Sequence, residues 1–231
     1  MKNSVLITVV FALALAPCLN AQINRPRNDS FNELLFFVGT NTIKYDETEG
    51  SPYLYEDFLP AQINNIKETK MVRFNAVENV IEVKQGENIL GLTMSKAYSV
   101  KLRDGSERIF EIHPVETENG KQEKVFLEKV FSNDKFMLYM KENIRYVEAK
   151  PAKSSYDQPI PAKFVKNKNS FYLIEQDSEG QKLVLLPKKK KTLIKTFGDK
   201  GKTIDKKIKK EGLKLNEKND MVTILSYYYN L

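Results

Sequence analysis

The chain holds one imidazole, His113, and one thiol, Cys18, among 231 residues, and no Trp. A disulfide needs two cysteines and a Cys/His zinc site needs a cluster, so both are excluded. Nucleophilic catalysis through an imidazole has one candidate base. His113 lies between Ile112 and Pro114, an expected strand end, where a structural role is the simpler reading. The sequence contains no Gly-x-Ser-x-Gly elbow, phosphate-cradling glycine loop or His-Glu-x-x-His motif. The 30 Asp and Glu leave paired-carboxylate hydrolysis open, but spacing selects no pair. The acidic run Asp46-Glu47-Thr48-Glu49 lacks the ligand spacing of a calcium loop and reads as a solvated turn. Tyr227-Tyr228-Tyr229 reads as a clamp for a terminal helix rather than a sugar platform. No catalytic residue, metal ligand or cofactor is assigned.

Lysine is the residue type with a telling distribution. The formal charge is +7, or +6 without Lys2. Residues 188–214 carry 12 Lys against Asp199, Asp205 and Glu211, a balance of +9, which leaves −3 for the rest of a chain starting after Lys2. The candidate binding residues are therefore Lys188, Lys189, Lys190, Lys191, Lys195, Lys206, Lys207, Lys209 and Lys210. Read plainly, they are the wet faces of short amphipathic helices, with stems covering apolar surface. Read functionally, they face an anionic surface such as phospholipid headgroups or acidic glycolipid, or an acidic protein partner. Nucleic acid is disfavoured, because the segment has no Arg for bidentate base contacts and little aromatic interleaving.

Residues 1–21 read as an export signal. Lys2 is a short positive start, Val5 to Leu15 is an uncharged apolar run, and Leu19-Asn20-Ala21 places a small residue before a cut. A run of 11 residues is too short for a membrane-spanning helix, which needs about 20. The competing reading lipidates Cys18, although Pro17 fits a lipobox poorly. The expected location is the periplasm or cell envelope, or the medium, with no transmembrane segment in the mature chain.

The elements that must hold these residues follow from periodicity. About 210 mature residues, 41% apolar and 29% charged, suffice for one packed domain. Residues 22–48 form a polar tail and a lead-in element, in which Phe31 to Val38 packs as a helix or a strand. Residues 49–186 form an antiparallel β-domain, opened by Gly50-Ser51-Pro52 with Tyr53, Leu54, Tyr55 and Phe58 as anchors. Val80 to Val83 and Ile89 to Met94 flank a turn. Tyr98, Val100 and Leu102 alternate with polar residues, the signature of a half-buried strand. Asp104-Gly105 then signals a hairpin, with a return strand that ends at His113-Pro114. Lys124 to Phe131 pairs with Phe136 to Met140, and Phe171 to Ile174 with Leu183 to Leu186, across a loop from Pro151 to Pro161. The expected fold is mainly β: a meander of about ten strands, curled as an open barrel, twisted sheet or sandwich. Residues 187–231 form the basic helical segment, with Gly198 and Gly212 as stops, Asn216 as the last cap, and a stripe of Met221, Val222, Ile224, Leu225 and Tyr228. An outer-membrane barrel is disfavoured by that helical ending.

Several fragments in order, Gly50-Ser51-Pro52-Tyr53-Leu54, Arg73-Phe74-Asn75, Val80-Ile81-Glu82, Phe126 to Phe131, Phe136 to Tyr139, Phe171-Tyr172-Leu173-Ile174, Leu213-Lys214-Leu215 and Tyr228-Tyr229-Asn230, resemble a family of uncharacterised exported proteins of the gram-negative envelope. Phe74 replaces that family's usual Tyr. The resemblance implies a β-rich envelope protein with a helical tail, associated with the outer membrane or periplasm, and brings no activity. The expected function is non-enzymatic binding or scaffolding at the envelope. Its alternatives are a carrier of an apolar ligand in a β-cavity and a carboxylate-dependent hydrolase.

Overall fold

The structure is a computed structural model that describes residues 29–38, 48–64, 66–117, 119–152, 154, 156–176 and 182–231. The expected signal segment, Cys18 and most of the acidic run before Glu49 lie outside them. The lead-in contributes both a helical turn, α1 (Asp29–Asn32), and a short strand, β1 (Leu35–Phe37). Ten more strands follow: β2 (Leu59–Ile63), β3 (Lys70–Asn75), β4 (Val80–Gln85), β5 (Asn88–Leu92), β6 (Ser99–Leu102), β7 (Ile109–Glu116), β8 (Gln122–Ser132), β9 (Phe136–Val147), β10 (Lys163–Glu175) and β11 (Val184–Leu185). Three helices, α2 (Lys190–Thr196), α3 (Gly201–Glu211) and α4 (Lys218–Tyr229), close the chain, with a 3₁₀ turn at Gly198–Lys200.

All eleven strands join one curled, half-barrel antiparallel sheet, so the sandwich alternative falls away. The order β1-β5-β4-β3-β2-β6-β7-β8-β9-β10-β11 is not the single meander the hairpins imply. After β5 the chain returns to lay β6 beside β2, with Ala61 opposite Leu102 and Ile63 opposite Val100. Two meanders are thus stitched back to back through β2 and β6.

Chain length shows how tightly the sheet bends. Glu49 bridges Lys163 on β10, and Tyr53 bridges Asn75 on β3. Four residues reach at most about 14 Å. In a flat sheet, the six strand steps from β3 to β10 would span about 29 Å. The lead-in therefore ties together strands that only a curled sheet brings within reach. A second tie comes from Asn79, in the β3–β4 turn at φ 54°. Its Oδ1 accepts from the Phe126 N–H at 2.7 Å and its Nδ2 donates to the Phe126 carbonyl at 3.0 Å. The β8–β9 ladder begins only at Glu128, so Phe126 lacks a partner strand on that side and the side-chain amide stands in for one.

Two further expectations change. β7 runs through His113 and Pro114 to Glu116. Pro114 is tolerated because β6 pairs only as far as Glu111, so no second ladder calls on the missing N–H. The α4 cap is Glu217, not Asn216. Asn216 instead accepts a hydrogen bond on its carbonyl from Asn169.

The main core fills the N-terminal meander around Ile63, Ile81, Val83, Leu92 and Val100, with Phe31 of α1. A second core joins Phe136, Leu138, Phe171 and Leu173 to Leu193, Ile204, Ile208, Met221, Ile224 and Leu225 of the helices. The basic segment is therefore a helical layer on the C-terminal strands. Tyr229 stacks on Phe136 at 4.9 Å, and Tyr228 meets Phe197 at 4.7 Å, which makes the tyrosines the helix clamp their position implies.

Candidate functional site

Packing of the helical layer decides where the lysines go. Leu193, Ile204 and Ile208 are consumed by the second core, so the opposite faces of α2 and α3 are left to Lys191, Lys195, Lys206, Lys209 and Lys210, all exposed. Lys188 and Lys189 are exposed in the link before α2. Asp205 takes Lys190 at 2.9 Å and Lys209 at 2.6 Å, and those two cations hold its carboxyl below its usual range. Lys207 pairs with Glu211 at 2.6 Å and lies 5.0 Å over the Tyr227 ring. Lys188, Lys189, Lys191, Lys195, Lys206 and Lys210 have no ion pair among the described residues. The candidate set is thus split: three lysines are partly neutralised within the layer, and six present bare charge.

The structure also gathers part of the set into a concave site that spacing does not show. A groove of about 430 Å³ runs between β10, the β11–α2 link and the α3–α4 turn. Lys188, Lys189 and Lys190 stand on one side, with Lys168 and Lys214 completing the rim. Phe171, Leu186, Pro187, Leu215 and Met221 supply apolar lining. Of the nine candidates, Lys191, Lys195, Lys206, Lys207, Lys209 and Lys210 line other surfaces.

A β-bulge builds the β10 wall. The ladder places Asn167 opposite Asn143 and Ser170 opposite Lys141, so Lys168 and Asn169 together face the single residue Glu142. Asn143 Nδ2 fixes the irregularity by donating to the Lys168 carbonyl at 2.8 Å and to Ser170 Oγ at 3.0 Å. The bulge lets Asn169 Nδ2 reach the Asn216 carbonyl at 3.2 Å, while its Oδ1 is buried without a hydrogen-bond partner. Close by, burial and the neighbouring Lys188 charge lower the affinity of Lys141 for its proton, against the pull of Glu123. Lys168, Asn169 and Lys214 were not anticipated. The polar run Lys166-Asn167-Lys168-Asn169, which interrupts an alternating strand, is the signal that marks the bulge.

A second groove, about 280 Å³, shares Leu186 and Pro187 with the first. It is more apolar, with Leu173, Val184, Leu185, Phe197 and Tyr228 along it. In the main core, by contrast, the space among Tyr55, Val72, Phe74, Val100 and Phe110 is about 10 Å³, room for about one water. The concave sites thus lie beneath and beside the helices, and this part of the sheet is packed solid.

Elsewhere, charge is used for fastening. The buried Arg108 guanidinium donates to Glu128, to Glu142 at 2.9 Å and to the Tyr55 hydroxyl. Lys218 of α4 reaches the same Glu128 at 3.2 Å, and Lys166 reaches Glu142 at 2.8 Å. Burial would raise the Glu142 carboxyl, but Lys166 and Arg108 hold it below the usual carboxylate range. This carboxylate pair clamps the Arg108 cation. Arg73 pairs with Glu82 at 2.8 Å while its guanidinium lies 3.6 Å from the Tyr53 ring and 4.5 Å from that of Phe58, which gives those anchors their task. Around Glu111, His113 Nε2 lies 3.6 Å away, beyond a hydrogen bond, and the Tyr139 hydroxyl donates at 2.7 Å. His113, then Tyr139 and Lys129, outweigh burial and bring Glu111 down to about 2.

The fold and this site define a half-barrel β-protein with a cationic helical layer. Comparison with protein-family models, curated proteins and solved structures finds no match in any of the three. Among the described residues, no helix is long and apolar enough to cross a membrane, and no cluster of His, Cys, Asp and Glu is set to hold a metal ion.

Proposed function

We propose that this chain is an exported binding protein of the cell envelope, whose lysine-bearing helical layer engages an anionic surface. The observation that carries the reading is the division of labour within α2 and α3. Their apolar faces are fully used by the second core, yet Lys191, Lys195, Lys206 and Lys210 remain exposed and unpaired among the described residues. Like charges left unneutralised on one layer cost stability unless a partner offsets them. The mildly acidic remainder of the chain supports the same reading, because it turns one side of the molecule toward negative charge. The alternative of an apolar-ligand carrier using the sheet interior has less support, because the space among Tyr55, Val72, Phe74, Val100 and Phe110 is about 10 Å³.

Co-sedimentation with vesicles tests this. Vesicles rich in phosphatidylglycerol should carry the protein down at low salt and release it as salt rises, while phosphatidylcholine vesicles should not. At about 1 kcal/mol per lysine near the surface, changing Lys191, Lys195, Lys206 and Lys210 to Gln should weaken binding by roughly three powers of ten. Salt-independent binding, or a quadruple variant that binds like the parent, would remove the proposal.

A further inference from the structure

We infer that the lysine-rimmed groove is a site for one anionic lipid, headgroup against the ammonium groups and acyl chain laid across Leu186 and Pro187 into the apolar groove beside it. The inference rests on the reading that this layer meets an anionic surface, and names what it takes from that surface.

Three features of the site converge on such a ligand. The lining brings Lys168, Lys188, Lys189, Lys190 and Lys214 together and holds no Asp or Glu; of the carboxylates beside it, Asp205 is spent on Lys190, Asp220 accepts from the Lys214 N–H at 2.8 Å and Glu217 accepts from the Asn216 amide at 3.1 Å. A ligand seated there must carry negative charge, and at about 430 Å³ the space suits a headgroup rather than a bare ion. Beneath the rim, the half-buried Pro187 and Leu215 over the buried Phe171, Leu186 and Met221 favour an apolar portion, and the neighbouring groove prolongs that surface past Leu186 toward Val184 and Phe197. Charge beside a continuous apolar track is the complement of an amphiphile, not of a soluble anion. Finally, Asn169 Oδ1 is a buried acceptor without a donor. Such atoms carry a desolvation cost, and Asn169 stands in the wall of the groove. The bulge that aims Asn169 is held by Asn143, so this acceptor is positioned before any ligand arrives.

Short-chain lipids kept below micelle formation separate this site from the surface. Titration of the full chain with dihexanoylphosphatidylglycerol, followed calorimetrically, should saturate at one lipid per chain. Dihexanoylphosphatidylcholine and glycerol phosphate should each bind at least ~10-fold more weakly, the first for lack of net charge and the second for lack of a chain. Lys188→Ala with Lys214→Ala should weaken the lipid about 30-fold, and Lys206→Ala with Lys210→Ala by no more than about twofold. Since both lysines of the first variant are exposed, its fold should survive, and circular dichroism checks that. Equal binding of the phosphatidylcholine, or of glycerol phosphate, overturns the assignment to an anionic lipid. A flat titration with vesicle binding intact overturns the groove alone, and loss of vesicle binding as well overturns the surface reading beneath it.

Discussion

Glu128 gives the sharpest test of how the helical layer is held over the sheet. One carboxylate serves two cations in different surroundings: Arg108, with a side chain 11% exposed, and Lys218, 44% exposed. Glu128 itself is 4% exposed. Replacing Glu128 by Gln leaves a buried guanidinium short of a counter-charge. Breaking a buried pair costs about 3–5 kcal/mol. The low end, about 3 kcal/mol, applies because Glu142 keeps its 2.9 Å contact with Arg108. For a domain of this size that is a fall of about 6–12 °C in Tm. Lys218→Ala removes the other half of the same arrangement, but from solvent, and should cost less than about 1 kcal/mol. Urea unfolding at pH 7, with circular dichroism as the probe and an unchanged m-value, reads both numbers. If the two variants lose the same stability, or Glu128→Gln loses less than about 1 kcal/mol, then burial does not set the worth of these contacts.

Other perturbations probe the remaining ties. Asn79→Gly keeps the positive φ but leaves the Phe126 N–H and carbonyl without partners, so it should cost about 2 kcal/mol or more by urea unfolding; an effect below about 0.5 kcal/mol would mean water replaces the amide freely. Glu111 sits near 2 in the folded chain against 4.5 ordinarily, so its contribution is complete above pH 4.5 and is lost as pH falls toward 2. Melting curves of Glu111→Gln and the parent should accordingly converge over that interval, and a constant gap across it would contradict the assignment. Gly212→Ala meets open space at φ 66°, so its cost is conformational, about 1 kcal/mol, with the α3 helix retained in the far-ultraviolet spectrum.

How much of this was legible in the chain depends on the range of the interaction. Tyr98, Val100 and Leu102 announce their buried face because a strand's period is local, and all three are buried. Ile204, Ile208 and the Gly212 stop are read the same way, from spacing within one or two turns. The return of β6 to β2 has no such mark: the hairpin on either side would look the same if β6 had continued beside β5. Nor does Asn79 advertise that its amide replaces a strand 47 residues away. The lysine segment lies between these cases. Its charge is a sum, visible in the composition, but the pairing of Lys190 with Asp205 depends on how α2 crosses α3, and it separates neutralised cations from bare ones.

The groove is the least legible feature, and for a definite reason. Its walls come from residues 168–171, 186–190 and 214–221, and no one of them is concave alone. One extra residue in β10 makes the difference. Without the bulge, Asn169 would fall into the ladder against β9 and could not reach the Asn216 carbonyl. The same bulge carries Lys168 to the rim. A local irregularity of the strand, held by Asn143, therefore converts a run of surface lysines into a pocket with an apolar floor and an unfilled acceptor. Charge alone attracts any anion; it is the bulge that gives this layer a shape with which to choose among them.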